Sequence, residues 1–187
     1  MRTIVCIASS AAVAVALAAS NAQAQDSRRI SLEGRLGVTF PSGDVSDAGG
    51  GSGYELGADF MYTFTPALTG YIGVSRHSFS CDEDEGPCED SFASSGFQAG
   101  LKYLFSREGR ALPWLRAGLL GQSLDVGPED SDFGLGLEAG AGLDVDVSHR
   151  LALVPAFYYR TYSADVDGGG DVSVNWFSLT LAAHLHF

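Results

Sequence analysis

The segment 75–80 holds the side chains best suited to nucleophilic catalysis, because serine hydroxyls lie there beside an imidazole base. His77 and Ser78 are adjacent in the chain, and adjacent strand residues point to opposite faces, so they do not form a base–nucleophile pair on one strand. His77 paired with Ser75 or Ser80 is the remaining arrangement, although a histidine at a loop edge is the commoner case. We therefore predict no catalytic residue.

Two other groups of side chains could bind a metal ion. His184 and His186 share one face of a strand, but the spacing supplies no third ligand, so we expect a structural or water-facing role. The acidic run 82–90 offers carboxylate oxygens to a divalent cation but lacks the twelve-residue spacing of an EF-hand. We favour a solvated loop, expect no cofactor, and keep cation binding as the alternative. Its candidate ligands are Asp82, Glu83, Asp84 and Glu85.

Two cysteines flank that acidic run. Cys81 and Cys88 are separated by six residues, and an exported chain passes through an oxidising compartment, which favours a disulfide bond between them. The alternative, a zinc site, lacks a second pair of ligands nearby. We expect the disulfide to order one loop and to contribute about 2–3 kcal/mol.

The expectation of export comes from the first residues of the chain. Arg2 precedes an apolar stretch at residues 4–19, and Ala22-Gln23-Ala24 fits the small-x-small cleavage pattern. The stretch is shorter than the roughly 20 residues that a spanning helix needs. We therefore predict a signal peptide at residues 1–24 and one mature domain at residues 25–187.

The overall charge argues against one class of partner. The chain has 23 acidic residues, 11 basic residues and a formal net charge of −12. Nucleic-acid binding requires clustered Lys and Arg side chains, and Lys102 is the only lysine. We therefore expect no nucleic-acid partner.

Hydrophobic residues alternate with a period of two, which is typical of strands between two unlike environments. In FGLGLEAGAGLDVDV, residues 133–147, the apolar residues occupy one face while Gly, Glu and Asp occupy the other. The same pattern recurs along the chain and predicts eight strands. They lie at residues 30–40, 54–64, 69–79, 92–105, 113–125, 133–147, 151–165 and 172–187.

The connections between the predicted strands alternate in character. Long acidic, turn-rich segments alternate with short ones such as Thr65-Pro66-Ala67-Leu68 and Ser148-His149-Arg150. This pattern predicts an all-β fold, an eight-stranded antiparallel up-and-down transmembrane β-barrel with long loops at one end.

The two strand faces indicate which side of the barrel meets lipid. The apolar face would aggregate in water, whereas the opposite face is rich in glycine and serine with sparse charges, which suits a cramped interior. Buried charges persist only when paired, so we expect an ion-pair network that closes the lumen and permits at most small conductance. Its predicted members are Glu33, Arg35, Asp59, Lys102, Arg116, Glu138, Asp144 and Arg160.

Aromatic residues fall at or near the ends of the predicted strands, where rings settle at the headgroup level of a membrane. They are Phe40, Tyr54, Phe64, Tyr103, Phe105 and Phe187. The final strand, SLTLAAHLHF, alternates strictly, and we expect it to pair with the first strand because an open edge in lipid is costly.

With its export signal, eight alternating strands and terminal phenylalanine, the mature chain resembles small eight-stranded outer-membrane β-barrels of the OmpA and OmpX kind. The resemblance implies a bacterial outer-membrane location, contact with lipid and lipopolysaccharide, and recognition by the barrel-assembly machinery. The terminal signal would comprise Leu181, Ala183, Leu185 and Phe187.

The resemblance leaves three functions open. We favour a monomeric, non-enzymatic barrel with a structural or surface-interaction role through acidic extracellular loops. A lipid A-modifying enzyme would need a Ser and a His separated by one residue with an acidic residue on the neighbouring strand, and we do not identify that pattern. A narrow channel for small solutes would need a lumen free of the predicted charges.

Overall fold

The computed structural model describes residues 29–43, 50–81, 92–106, 108–126, 129–130, 133–166 and 170–187. The predicted signal peptide, residues 1–24, lies outside them. Eight long strands and one two-residue strand make up the described fold. The strands are β1 Ile30–Ser42, β2 Gly50–Thr65, β3 Leu68–Cys81, β4 Phe92–Leu104, β5 Ala111–Val126, β6 Glu129–Asp130, β7 Gly134–Ser148, β8 Leu151–Val166 and β9 Gly170–His186.

The eight long strands form a closed antiparallel barrel. Each pairs with its neighbours in the chain, β5 pairs with β7, and the sheet closes between β1 and β9. Glu33 on β1 therefore lies opposite Asp59 on β2 and His184 on β9. This confirms the predicted fold, including the pairing of the last strand with the first.

Most strand ends agree with the predictions to within two residues, and the two larger differences lie at the end of the barrel with the longer connections, called here the long-loop end. Strand β2 begins at Gly50 rather than at residue 54, because Gly50 and Gly53 still pair with the end of β3, across a register shift. Strand β6 lies within a segment predicted as loop and pairs with the end of β5. Glycine and acidic residues are typical of turns, which is why both segments were predicted as loops. In the structure, backbone pairing continues through them.

Side chains alternate between the lumen and the outer surface of the barrel. Leu119 is 65% exposed, whereas the next residue, Leu120, is 1% exposed. On the outer surface, exposed apolar side chains occur on all eight long strands, whereas most buried charged and polar side chains face the lumen. The barrel thus has its apolar side outward, as the sequence predicts.

The lumen also holds large aromatic side chains, which corrects the expectation of a mainly small-residue interior. Alternating glycines on the inner face of β7 make room for them: a Cβ built on Gly140 would lie 2.6 Å from the Tyr158 ring, and one on Gly142 would lie 2.5 Å from the Trp114 ring. Each glycine is thus paired with a ring on a neighbouring strand. The buried aromatic residues are Tyr71, Phe79, Trp114, Tyr158, Tyr162 and Trp176.

Within the part of the chain that the structure describes, no helix is both long and apolar enough to cross a membrane.

Candidate functional site in the barrel lumen

A buried carboxylate from β7, that of Glu138, joins side chains from several strands in the lumen. Glu138 accepts hydrogen bonds of 2.9 and 2.6 Å from Arg116 on β5 and of 2.6 Å from Arg160 on β8. The hydroxyl of Tyr71 donates a further bond of 3.0 Å to the same carboxylate. The guanidinium of Arg116 also lies over the Tyr71 ring, 3.7 Å from its centroid, which adds a cation–π contact. One carboxylate therefore ties β7 to three other strands, β3, β5 and β8.

Two carboxylates from β2 extend this cluster. Glu55 accepts bonds of 2.8 and 2.9 Å from Arg160 and of 2.8 Å from Arg35, while Asp59 accepts bonds from Arg35 and Arg116. The bidentate geometry between Glu55 and Arg160 is the stronger form of this ion pair. Each arginine thus bridges two carboxylates.

A second cluster lies toward the end of the barrel that has the shorter connections, called here the short-turn end. Lys102 donates bonds of 2.8 and 2.9 Å to Asp144, and its Nζ atom lies 3.9 Å from Glu33. Glu33 is also 3.8 Å from Arg116, and neither of its oxygens makes a hydrogen bond with a described residue. His184 lies 2.8 Å from Ser31 and 3.8 Å from Asp144.

The structure places all eight charged residues predicted for the network inside the lumen. It adds Glu55, which sequence analysis missed although Glu55 shares the strand parity of Asp59. We call the full set the lumen network. It comprises Glu33, Arg35, Glu55, Asp59, Lys102, Arg116, Glu138, Asp144 and Arg160, all less than 7% exposed.

Aromatic and apolar residues fill the lumen between the network and the long-loop end. The His77 ring lies 5.0 Å from that of Trp176, which also contacts Phe79 and Tyr162 edge-on. Leu120 and Val174 complete this buried group. The loop-edge position expected for His77 is therefore wrong: the side chain is fully buried, because β3 continues past it as far as Cys81.

A Ser–His–Glu arrangement is present, which sequence analysis did not identify. Ser75 and His77 are separated by one residue on β3, and Glu55 lies opposite His77 on β2. His77 Nε2 lies 3.3 Å from Ser75 Oγ, and His77 Nδ1 lies 3.9 Å from Glu55 Oε2. All three side chains face the lumen and are at most 5% exposed. The spacing of Ser75 and His77 is visible in the sequence, but Glu55 joins them only through the register between β2 and β3.

The hydrogen-bond direction around Ser75 opposes activation of its hydroxyl. The Asp59 carboxylate can only accept, so Gln98 directs its amide nitrogen to Asp59, at 2.7 Å, and its oxygen to Ser75. The Ser75 hydroxyl therefore donates to Gln98, at 2.9 Å, rather than to His77. His77 Nε2, 3.3 Å away, therefore does not accept the hydroxyl proton of Ser75, as a general base would.

The other candidate groups give little support for a metal site. Of the two C-terminal histidines, His184 is buried and His186 half-buried, and their ring centroids are 4.2 Å apart. Among the described residues, no group of three or more His, Cys, Asp or Glu side chains is arranged to hold a metal ion. Outside the described residues lie Cys88 and the candidate cation ligands Asp82, Glu83, Asp84 and Glu85. The backbone of Cys81 ends β3, but its side chain is not described.

The outer surface carries the residues predicted for the assembly signal. Leu181, Leu185 and Phe187 are 48%, 44% and 42% exposed, and Ala183 shares their outward face. The aromatic side chains predicted near the strand ends are also exposed. Aliphatic side chains in the middle of the strands, such as Leu36, Ile72 and Leu119, are exposed as well. This surface is suited to hydrocarbon contact.

Known proteins share this architecture. Neisserial surface protein A is 18% identical, with 84% of this chain and 97% of that chain covered and a TM-score of 0.66. OprG from Pseudomonas aeruginosa is 14% identical, with coverages of 84% and 96% and a TM-score of 0.54. The outer membrane protein AlkL, solved in lipid bilayers, is 16% identical, with coverages of 90% and 96% and a TM-score of 0.53. No curated protein matches the sequence.

The family assignment comes from the sequence. Residues 9–184 match the family model of the outer membrane protein beta-barrel domain. The match includes part of the predicted signal peptide and all but the last two residues of β9. The chain therefore belongs to the outer membrane β-barrel domain family and is an integral protein of the bacterial outer membrane.

Proposed function

We propose that this protein is a monomeric, non-enzymatic barrel that contributes to envelope integrity or surface interaction and does not conduct solutes steadily. The observation that carries the proposal is the lumen network, because its cross-strand ion pairs occupy the positions that an aqueous pore would need. Paired charges of this kind are costly to separate in a medium of low dielectric. The network therefore favours a structural role over a channel.

The proposal includes an orientation in the membrane. In bacterial outer-membrane barrels, short turns face the periplasm and longer loops face the outside. The first residue of β1, Ile30, and the last residue of β9, His186, both lie at the short-turn end. The acidic segments at the long-loop end would then lie at the cell surface, available for contact with other molecules or with divalent cations bridging to lipopolysaccharide.

A conductance measurement tests the closed lumen. We expect the purified protein in planar bilayers to give no steady channels. Glu138→Ala should increase the frequency of small openings, because it removes the carboxylate shared by Arg116 and Arg160. Leu119→Ala, on the outer surface, is the matched control. Large, stable conductance from the unmodified protein would contradict the proposal and favour the narrow channel.

Enzymatic activity is the second candidate, because the Ser75–His77–Glu55 arrangement is present. We expect no release of fatty acid when the folded protein is incubated with lipid A or phospholipid, since the Ser75 hydroxyl is committed to Gln98 in a closed lumen. Release of fatty acid that disappears in Ser75→Ala but persists in Ser78→Ala would overturn the non-enzymatic proposal.

A further inference from the structure

A charged side chain, that of Arg76, interrupts the lipid-facing surface. Among the strand residues whose side chains the structure describes, Arg76 on β3 is the only charged residue at an outward-facing position. It follows Ile72 and Val74 on the same face, each 61% exposed, and it lies between Leu56 on β2 and Ser95 on β4. The net charge of the chain is −12, so an isolated cation on its apolar surface is unusual. A charge in such a surface requires an anionic partner.

Arg76 lies in the half of β3 nearer the long-loop end. Strand β3 begins at Leu68, level with the aromatic residue Tyr103 of the short-turn end. Arg76 is eight positions after Leu68 in the chain, which is about 26 Å along the strand. At the usual strand tilt this is a rise of about 20 Å, near the top of an apolar band about 25 Å tall. The guanidinium can therefore reach the headgroups of the outer leaflet.

An apolar groove lies on the same face below Arg76. Its volume is about 330 Å³, and Gly70 and Ala99 form part of its floor while Phe60, Ile72 and Leu101 contribute to its walls. Ile72 is four residues before Arg76 on β3, a separation of about 13 Å along the strand. Charge and groove are therefore arranged in the order of a lipid headgroup followed by an acyl chain.

We infer that Arg76 and the groove below it form a binding site for one phosphorylated lipid of the outer leaflet. The guanidinium would pair with a phosphate, whose planar bidentate recognition is characteristic of arginine, and one acyl chain would occupy the groove. No described residue forms an ion pair with Arg76 that would compete for the phosphate. The inference rests on the proposed orientation, which places this end of β3 at the outer leaflet.

Native mass spectrometry of the folded protein in neutral detergent tests the site, with diphosphoryl lipid A and its dephosphorylated form as probes. We expect the unmodified protein to retain one diphosphoryl lipid A and to bind the dephosphorylated form at least tenfold more weakly. Arg76→Gln should lose about tenfold in affinity for the diphosphoryl form, and Arg76→Lys should lose less because the charge remains. Arg150→Gln, an exposed arginine in the turn before β8, should change nothing.

The groove is tested separately by Ala99→Phe, which fills it and should weaken retention of lipid A without altering the charge. Folding of each variant is checked by its heat-modifiable gel migration. Equal binding of both lipid forms, or unchanged binding by Arg76→Gln, would overturn the headgroup site. Unchanged binding by Ala99→Phe would overturn the acyl-chain groove. If these lipid-binding predictions fail while the barrel neither conducts steadily nor releases fatty acid, the proposed function stands and only the lipid site is wrong.

Discussion

Arg160 on β8 and Glu138 on β7 are cross-strand neighbours, and Arg160 Nε donates a 2.6 Å hydrogen bond to Glu138 Oε2. The same guanidinium also binds Glu55 on β2, so that one side chain joins strands that are far apart in sequence. The contact with Glu55 crosses the lumen past the two strands between β8 and β2, so we expect the loss of Arg160 to affect both carboxylates.

Arg160→Met should destabilise the barrel by about 3–5 kcal/mol, because it leaves two buried carboxylates without a principal partner. Urea unfolding in phospholipid vesicles measures the change in free energy. Arg150→Met is the control, since it removes an exposed arginine and should change stability by less than about 0.5 kcal/mol. A loss below about 1 kcal/mol for Arg160→Met would show that the lumen network contributes little to stability.

Glycines on the two faces of the barrel should respond differently to alanine. Gly140→Ala places a Cβ 2.6 Å from the Tyr158 ring, which packs among the arginines of the lumen, so we expect a loss of about 1–3 kcal/mol. Gly34→Ala lies on the outer face with nothing within 4 Å of the new Cβ and should be nearly neutral. The same unfolding assay compares them, and equal effects would argue against a packed lumen.

The two tryptophans report on water in the lumen. Trp114 and Trp176 are the only tryptophans of the chain and are 2% and 1% exposed. Their fluorescence should resist quenching by acrylamide in the folded protein and become sensitive in urea. In a Trp114→Phe background, Phe79→Ala should increase quenching of Trp176, because it removes a ring that packs against the indole. Strong quenching in the unmodified protein would indicate a water-filled lumen.

Much of the fold could be predicted from the period-two alternation, because each strand lies between lipid and a polar interior. The direction of each face, and therefore the lumen position of Arg116 or Glu138, follows from the same parity. Glu55 could have been found in the same way, since it lies four residues before Asp59 on one strand. The Ser75–His77–Glu55 arrangement could not, because it depends on the register between β2 and β3.

The aromatic filling of the lumen was also not predicted. Alternation assigns Trp114 and Tyr158 to the inner face, but whether a ring fits there depends on what faces it on the neighbouring strand. Gly140 and Gly142 supply that space only once β7 lies between β5 and β8. Strand order and register therefore decide the packing, and neither is encoded locally.

The predicted disulfide between Cys81 and Cys88 can be tested by gel migration. Unheated protein should migrate differently with and without reductant if the bond is formed, and Cys88→Ser should migrate like the reduced protein in both conditions. Cys88→Ser should also lose at most about 2–3 kcal/mol of stability, since the closed ring is small. Identical migration of unmodified protein and Cys88→Ser without reductant would contradict the bond.

The inside-out arrangement of the barrel is tested most directly at two adjacent residues of β5, Leu119 and Leu120. In methyl-labelled protein reconstituted in lipid nanodiscs, nuclear Overhauser contacts to lipid acyl-chain protons should be strong for the Leu119 methyl groups, which are on the exposed side. They should be absent for Leu120, which packs with Trp176 and Val174 in the lumen. Acyl-chain contacts at Leu120, or none at Leu119, would contradict the account.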